Sequence, residues 1–510
     1  MKPLSHPTLP RRARLVIATG LALAAGALAV PANAAPAALA GAVHASPAPA
    51  ASGKRLHDDF NGDGYPDIAV GAPGAALGEQ RGAGAVTVLY GGAKGLSTAR
   101  KQVLTWPTRK NAESPEGGYG STLCTADLDE DGYADLLSTV SWTPMDGDHG
   151  TFIEVNWGGP KGLSAIPTLL SGLPDAAALK DFTVADVDGD THPDLVRLGV
   201  HPDTAPNADG AVQHGPFTRA APGGTRTTYF TVDPDRGELV GSFAAGDVNG
   251  DGTADLAVRT RFMDEPDSRG VALLLGGPDG FTNKGWLLDT KHRSMGGEEV
   301  AIGDLDHDRY GDIVIGHSDD GYDTDVEMPT KGGALGVVYG GPQGVSTTRK
   351  PVWINQDTAG VPGAGEFHDG MGSGLSIGDT DGDGYADVAT GLPGEDFDGL
   401  TDAGSVLVLR GSAKGLTGTG AKVFHQNTAG VPGAAEKGDR FGRATALVDG
   451  NADRKAGLVV GDPEENSGDG AVWVFSATSG GITTSGAFSF GPVTAALPAR
   501  QARFGAWLGR

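Results

Sequence analysis

The chain has 510 residues, 84 of them glycine, and 64 acidic side chains against 39 basic ones give a formal net charge of −25 at pH 7. That charge excludes nucleic acid as a partner, because phosphate repulsion opposes association. Cys124 is the sole cysteine, so no internal disulfide forms and an oxidising compartment would demand another stabilising device.

The N-terminus reads as a targeting segment. Arg11, Arg12 and Arg14 precede an apolar run from Leu15 to Val30, and Ala32-Asn33-Ala34 follows Pro31. This order predicts a secretory signal over residues 1–34. The run is 16 residues long, short for a membrane span. Residues 35–53 are rich in Ala and Pro and read as a flexible linker. No later apolar stretch is long enough to cross a bilayer, so a secreted, extracellular product is expected, and a monomer.

From residue 54 to 510 one unit recurs seven times. Each copy carries a nine-residue acidic loop: DFNGDGYPD from Asp59, DLDEDGYAD from Asp127, DVDGDTHPD from Asp186, DVNGDGTAD from Asp247, DLDHDRYGD from Asp304, DTDGDGYAD from Asp379 and DGNADRKAG from Asp449. Successive copies start 57 to 75 residues apart, and regular self-similarity of this kind decides architecture before local propensity does.

The loop chemistry points to a hard divalent cation. Positions one, three, five and nine offer side-chain oxygens, and position seven offers its backbone carbonyl. The expected ligands are therefore Asp59, Asn61, Asp63, Tyr65 and Asp67 in the first loop and Asp127, Asp129, Asp131, Tyr133 and Asp135 in the second. The third loop supplies Asp186, Asp188, Asp190, His192 and Asp194, and the fourth Asp247, Asn249, Asp251, Thr253 and Asp255. The fifth supplies Asp304, Asp306, Asp308, Tyr310 and Asp312, and the sixth Asp379, Asp381, Asp383, Tyr385 and Asp387. Calcium takes about six to eight oxygens in a flexible shell, and about four to six Ca²⁺ ions are expected. Without a cation the carboxylates would repel one another. Gly64 and its equivalents allow positive φ at position six, whereas Thr191 and Arg309 stand there in two copies and predict strain. The seventh copy has Gly457 at position nine, and no tight site is expected in it. The loops resemble the first part of an EF-hand, but no Glu stands at position twelve and short strands such as DIAVG follow.

Around each loop the parts keep one order. A strand opening on an aromatic or other residue plus Gly leads in, as at Tyr119, Met371 and Phe441. A second strand ends in a Gly-rich turn such as VGAPG at Val70, a third runs apolar as in GAVTVLYGG from Gly84, and a short outer strand follows. The segment Ala211–Thr231 is hard to divide in this way. Four strands per unit and seven units fit the blades of a β-propeller, an all-β fold. The first unit lacks its leading strand, and RFGAWLG, with Phe504-Gly505, ends the chain without a loop after it. A ring closed by pairing its two ends explains both facts.

These units resemble FG-GAP repeats, by the Phe441-Gly442 and Gly71-Ala72-Pro73 pairs and the acidic loops. The resemblance implies the seven-bladed β-propeller of integrin α-subunit heads, with calcium held between the first two strands of a blade. It implies a calcium-binding adhesion or binding module for an extracellular protein or polysaccharide ligand. The alternative is a carbohydrate-active hydrolase or lyase on the same scaffold, since propellers host both.

No catalytic residue emerges. Gly374-Leu375-Ser376-Ile377-Gly378 matches GxSxG, but it leads straight into Asp379 without the strand-to-helix turn that a nucleophile elbow needs. His149, His201, His214, His292, His317 and His368 fall in expected loops and read as solvated. Trp106, Trp142, Trp157, Trp286, Trp353, Trp473 and Trp507 read mainly as blade packing, and Cys124 as a small buried hydrophobe. Two Gly/Pro-rich echoes, from Asn355 and His425, cannot be helical and read as inter-blade connectors, with a ligand-binding surface as the alternative.

Overall fold

The computed structural model describes residues 58–106, 118–142, 150–171, 179–200, 205, 208–232, 238–262, 269–320 and 331–509. The expected signal segment and linker, His149, His201 and the side chain of Trp142 lie outside them. Seven four-stranded antiparallel sheets form the blades of a β-propeller. No helix among the described residues is long and apolar enough to cross a membrane.

The first blade shows how composition sets strand position. Its strands Ile68–Ala72 and Ala85–Leu89 are buried along their whole length, while the outer strand Lys101–Thr105 is only partly covered. Central strands are covered on both faces by neighbouring blades and so read as continuous apolar runs. The outer strand faces solvent and carries polar residues. The segment of the third blade that periodicity left undivided folds as Gly210–His214 paired with Arg226–Phe230.

The ring closes as the unit phasing predicts. Trp507–Gly509 supplies the inner strand of the first blade, with Val70 opposite Leu508 and Gly71 opposite Trp507. No blade edge of the first sheet is left bare on that side, which is how closed arrays avoid unpaired inner edges.

The two dipeptides that recur in the sequence meet at the seams between blades. The leading aromatic is buried at Tyr119, Phe441 and Phe504, as is Met371 in the same place. Its amide donates to a carbonyl two residues before the third strand of the preceding blade: Tyr119 to Ala83 O at 3.1 Å, ahead of Ala85–Leu89, and Phe441 to Ala403 O at 3.1 Å, ahead of Ser405–Arg410. The following glycine presses its carbonyl against a glycine of the preceding blade's second strand. Gly120, Gly372, Gly442 and Gly505 face Gly71, Gly316, Gly391 and Gly461, and a Cβ on any of the latter four would overlap that oxygen. Close backbone approach across the seam is thus why both positions are glycine.

Ser376 lies in the strand Ser373–Gly378, fully buried, with Oγ 2.8 Å from Thr445 Oγ1 of the next blade. It is a seam residue and no nucleophile elbow. Cys124 lies buried in Leu123–Ala126, and burial pushes its thiol up to about 11. Trp106, Trp157 and Trp473 are core residues.

Candidate metal centres

In the second to seventh blades the acidic loop joins the first and second strands, in the first blade it leads into Ile68–Ala72, whose inner neighbour is Trp507–Gly509, and all seven loops follow one path. Positions four and six have positive φ throughout: 71° and 86° at Gly62 and Gly64 in the first loop, for example. Thr191, Arg309 and Arg454 adopt the same conformation at position six, with φ of 73°, 75° and 68°. The strain expected at Thr191 and Arg309 is therefore present in the backbone, at roughly 1–2 kcal/mol per side-chain-bearing residue, and the surrounding bonds hold it.

Those bonds come from the first carboxylate. Asp59 Oδ1 accepts the amides of Gly62 and Asp63 at 2.7 and 3.1 Å, and its Oδ2 accepts that of Gly64 at 2.7 Å. Asp247 repeats the pattern with Gly250, Asp251 and Gly252. The fifth carboxylate accepts the amide of position seven, as Asp63 does from Tyr65 at 3.2 Å and Asp190 from His192 at 2.9 Å. At position three, Asn61 and Asn249 accept the amides of Asp63 and Asp251. Position two is buried and apolar at Phe60, Leu128, Val187, Val248 and Leu305, which anchors the loop in the blade.

The ninth carboxylate has a second task that spacing did not reveal. Asp67, Asp135, Asp194, Asp255, Asp312 and Asp387 are all completely buried. One oxygen of each accepts the amide of position two, from Phe60, Leu128, Val187, Val248, Leu305 and Thr380 at 2.9 to 3.1 Å. The other accepts the amide of the first glycine after the third strand, Gly91, Gly158, Gly215, Gly276, Gly340 or Gly411, at 2.7 to 3.0 Å. The residue clasps the loop to the third strand. Burial outweighs these donors and pushes Asp67, Asp135 and Asp312 up to about 8, Asp194 and Asp255 to about 7 and Asp387 to about 6.

The fold brings the expected side chains together. Ligand-capable atoms lie within 4.8 Å of one another in Asp127, Asp129 and Asp135, in Asp186, Asp188 and Asp190, in Asp304, Asp306 and Asp308, and in Asp379, Asp381 and Asp387. Asp129 Oδ1 and Asp306 Oδ1 are buried and accept no hydrogen bond. Buried carboxylate oxygens without donors are costly, and a cation would satisfy them.

Arginines offset part of this charge. Arg100 pairs with Asp63, Arg219 with Asp129 at 2.5 Å and with Asp131, and Arg349 with Asp306 at 2.6 Å. Arg226 stands 2.8 Å from Asp188. Arg410 contacts Asp381 and lies 3.2 Å from Asp387. One guanidinium against three or four carboxylates leaves each loop negative. Among the described residues no basic side chain pairs with Asp247, Asp251 or Asp255. In the seventh loop Lys455 Nζ stands 3.3 Å from Asp453.

The loops are linked in series. The amide of position eight donates to the first residue of the preceding loop: Ala134 to Asp59, Ala254 to Asp186, Gly311 to Asp247, Ala386 to Asp304 and Ala456 to Asp379, at 2.7 to 3.2 Å. Position eight is proline at Pro66 and Pro193, which removes the donor. Between the second and third loops His192 Nδ1 meets Glu130 Oε1 at 2.5 Å instead.

Two residues were missed by spacing. His214 ends the strand Gly210–His214 and is buried against the third loop, 2.9 Å from Asp188 and 3.4 Å from Asp194. It is not the solvated loop residue expected, and His317 is likewise buried at the end of Asp312–His317. Arg410 occupies the equivalent place in the sixth blade. That place, just before the clasp glycine, reads Tyr90, Trp157, His214, Leu275, Tyr339 and Arg410 in the first six blades. Aligning the units on that glycine would have exposed both.

The sequence profile of the FG-GAP repeat matches residues 57–89, 240–270 and 371–409. Over 157 residues the chain is 33% identical to integrin alpha-7 of Homo sapiens, covering 29% of this chain and 12% of that protein. Over 81 residues it is 43% identical to integrin alpha-IIb of Mus musculus, covering 16% and 7%. It is 31% identical over 150 residues to the phosphatidylinositol-glycan-specific phospholipase D of Bos taurus, covering 27% and 17%. The chain thus spans less than a fifth of each of these relatives. Among solved structures, AofleA from Arthrobotrys oligospora aligns at a TM-score of 0.35 and 10% identity, over 72% of this chain and 85% of that one. The chain carries FG-GAP repeats and folds as a seven-bladed β-propeller, and in sequence it is similar to integrin α-subunits.

Proposed function

We propose that this chain is a secreted calcium-binding propeller that acts as a non-catalytic binding module for an extracellular protein or polysaccharide. The observation that carries the calcium reading is the convergence of carboxylates on oxygen-only sites, with Asp129 Oδ1 and Asp306 Oδ1 buried and without donors. Positions one, three, five and nine and the carbonyl of position seven would hold the ion in the first six loops. A hard cation with a flexible oxygen shell fits that donor set. The ion supplies charge neutralisation and locks the loops that run in series around the ring.

Two further observations favour binding over turnover. The ninth-position carboxylates, whose pKa values burial raises, are engaged by backbone amides, as Asp67 is by Phe60 and Gly91, which leaves them poorly placed for proton transfer in a cleft. Phe367, in the first Gly/Pro-rich echo, is 57% exposed with Lys331 Nζ 4.6 Å from its ring centre. Rigid scaffolds carry recognition on such loops.

The purified protein, dialysed against calcium, should retain about four to six ions by mass spectrometry and lose melting temperature on chelation. Empty metal analysis with an unchanged melt would overturn the calcium reading. A glycan and surface-protein array, run with and without calcium, should return a calcium-dependent ligand. Turnover of a polysaccharide or ester substrate, abolished by one point mutation, would overturn the binding reading.

A further inference from the structure

The third blade departs from the oxygen-only pattern. Just before the clasp glycine, Tyr90, Trp157, Leu275 and Tyr339 belong to apolar clusters in their blades. His214 takes that place in the third blade and is 4% exposed. Its Nε2 lies 2.8 Å from Thr228 Oγ1. Its Nδ1 faces Asp188 Oδ2 at 2.9 Å and Asp194 Oδ1 at 3.4 Å, yet the angles are not those of a hydrogen bond and the nitrogen is buried without a hydrogen-bond partner. Ligand-capable atoms of Asp188, Asp194 and His214 lie within 4.8 Å of one another, and all three residues are buried.

Thr228 Oγ1 can accept a hydrogen bond from Nε2–H, the tautomer that leaves the Nδ1 lone pair facing the two carboxylates. A hydrogen bond at the far ring nitrogen is the usual way a ligating imidazole is oriented. A lone pair aimed at two carboxylates is repulsive unless a cation stands between them.

We propose that the third loop is a mixed nitrogen–oxygen site for a first-row transition ion of the zinc class, held by His214 Nδ1, Asp188 and Asp194. Imidazole favours zinc, copper and nickel, whereas calcium and magnesium favour oxygen alone. Ligands about 2.1 Å from such an ion stand about 3.0–3.4 Å apart, the range already spanned by the two Nδ1 contacts. A recess of about 330 Å³ lined by Val187, Asp188, His214, Arg226, Pro278 and Phe281 gives the ion a route in. Arg226, with its side chain 52% exposed and Nη2 2.8 Å from Asp188 Oδ2, is the resident counter-charge that the ion displaces. This inference rests on the reading that the acidic loops hold cations.

The test uses the full purified chain, stripped with chelator and reloaded with Zn²⁺ under a millimolar excess of Ca²⁺. The expected result is one Zn²⁺ retained per chain, with imidazole scattering in its X-ray absorption spectrum. His214→Leu, which installs the residue of the fourth blade, should weaken Zn²⁺ binding at least tenfold and leave the calcium count of the other loops unchanged. Arg226→Ala should tighten Zn²⁺ binding, and this variant and the wild-type spectrum decide the matter should His214→Leu not fold. Equal zinc retention by His214→Leu, or an oxygen-only spectrum, overturns the inference. Calcium retained without zinc sinks this inference alone; a chain that retains no ion of either kind sinks the calcium reading with it.

Discussion

Asp255→Asn isolates the charge of the clasp from the metal. Asp255 is completely buried, with Oδ2 2.9 Å from the amide of Val248 and Oδ1 2.9 Å from that of Gly276. Asparagine keeps one acceptor and turns an NH₂ group towards the other amide. The pKa of about 7 already contains both amide bonds and still lies above the ordinary carboxylate range, so at pH 8 the neutral asparagine escapes a buried-charge penalty of about 4 kcal/mol and should leave the stripped chain more stable than the wild type. Asp251→Asn is the control. Asp251 is exposed and accepts the amide of Thr253 at 2.8 Å, a bond that an asparagine carbonyl reproduces, and the side-chain NH₂ of Asn249 at 2.7 Å, an exposed donor that water satisfies in its place, so its cost in chelator stays within about 0.5 kcal/mol. Urea unfolding at pH 8, above the value of about 7 for Asp255, should show the difference in chelator, where no ion contributes. With calcium present both variants should lose the ion of the fourth loop. Asp255→Asn matching the wild type in chelator, or falling below it, would refute this account of a charge buried at position nine.

Two other outcomes are expected. Gly391→Ala places a Cβ into Gly442 O across a blade seam, and because Gly391 is not in the left-handed region any loss is steric. Overpacking of this kind costs about 1–3 kcal/mol, and a melting curve identical to the wild type would refute the seam account. In chelator, stability should fall as pH rises from about 4 towards 8. The unfolded carboxylates release their protons near pH 4, while burial lets the folded chain keep them on Asp67, Asp135 and Asp312 up to about 8. The folded state then binds more protons throughout that window, which is the condition for stability to decline with pH. Calcium favours the ionised form, so the gap between loaded and stripped melting temperatures should widen with pH; a gap that narrows contradicts the reasoning.

The ring and its loops were legible because their determinants are local. An Asp at every second position with glycine at the sixth fixes a turn within nine residues, and the phasing of the first and last units fixes the closure. What the sequence hid depends on contacts between strands. Position nine is the same residue whether it ligates or clasps, and only the path of the third strand brings Gly276 to Asp255. His214 reaches the third loop from another strand, so its solvated reading failed. Arg226–Phe230 was obscured because an outer strand with a single buried residue looks like a connector beside Gly223-Gly224. The junction between the second and third loops, poor in backbone bonds, was readable in Pro193 but has meaning only once position eight is known to be a donor elsewhere.

The pairing of Val70 with Leu508 joins the most distant parts of the polypeptide. During synthesis, Ile68–Ala72 waits for its partner while the six other blades are delivered. Meanwhile it presents a naked, apolar border of the kind that recruits foreign strands, and the loop closure needed to cover it is entropically the largest in the molecule. Covering that border therefore waits on Trp507–Gly509, and aggregation during biogenesis competes with their arrival.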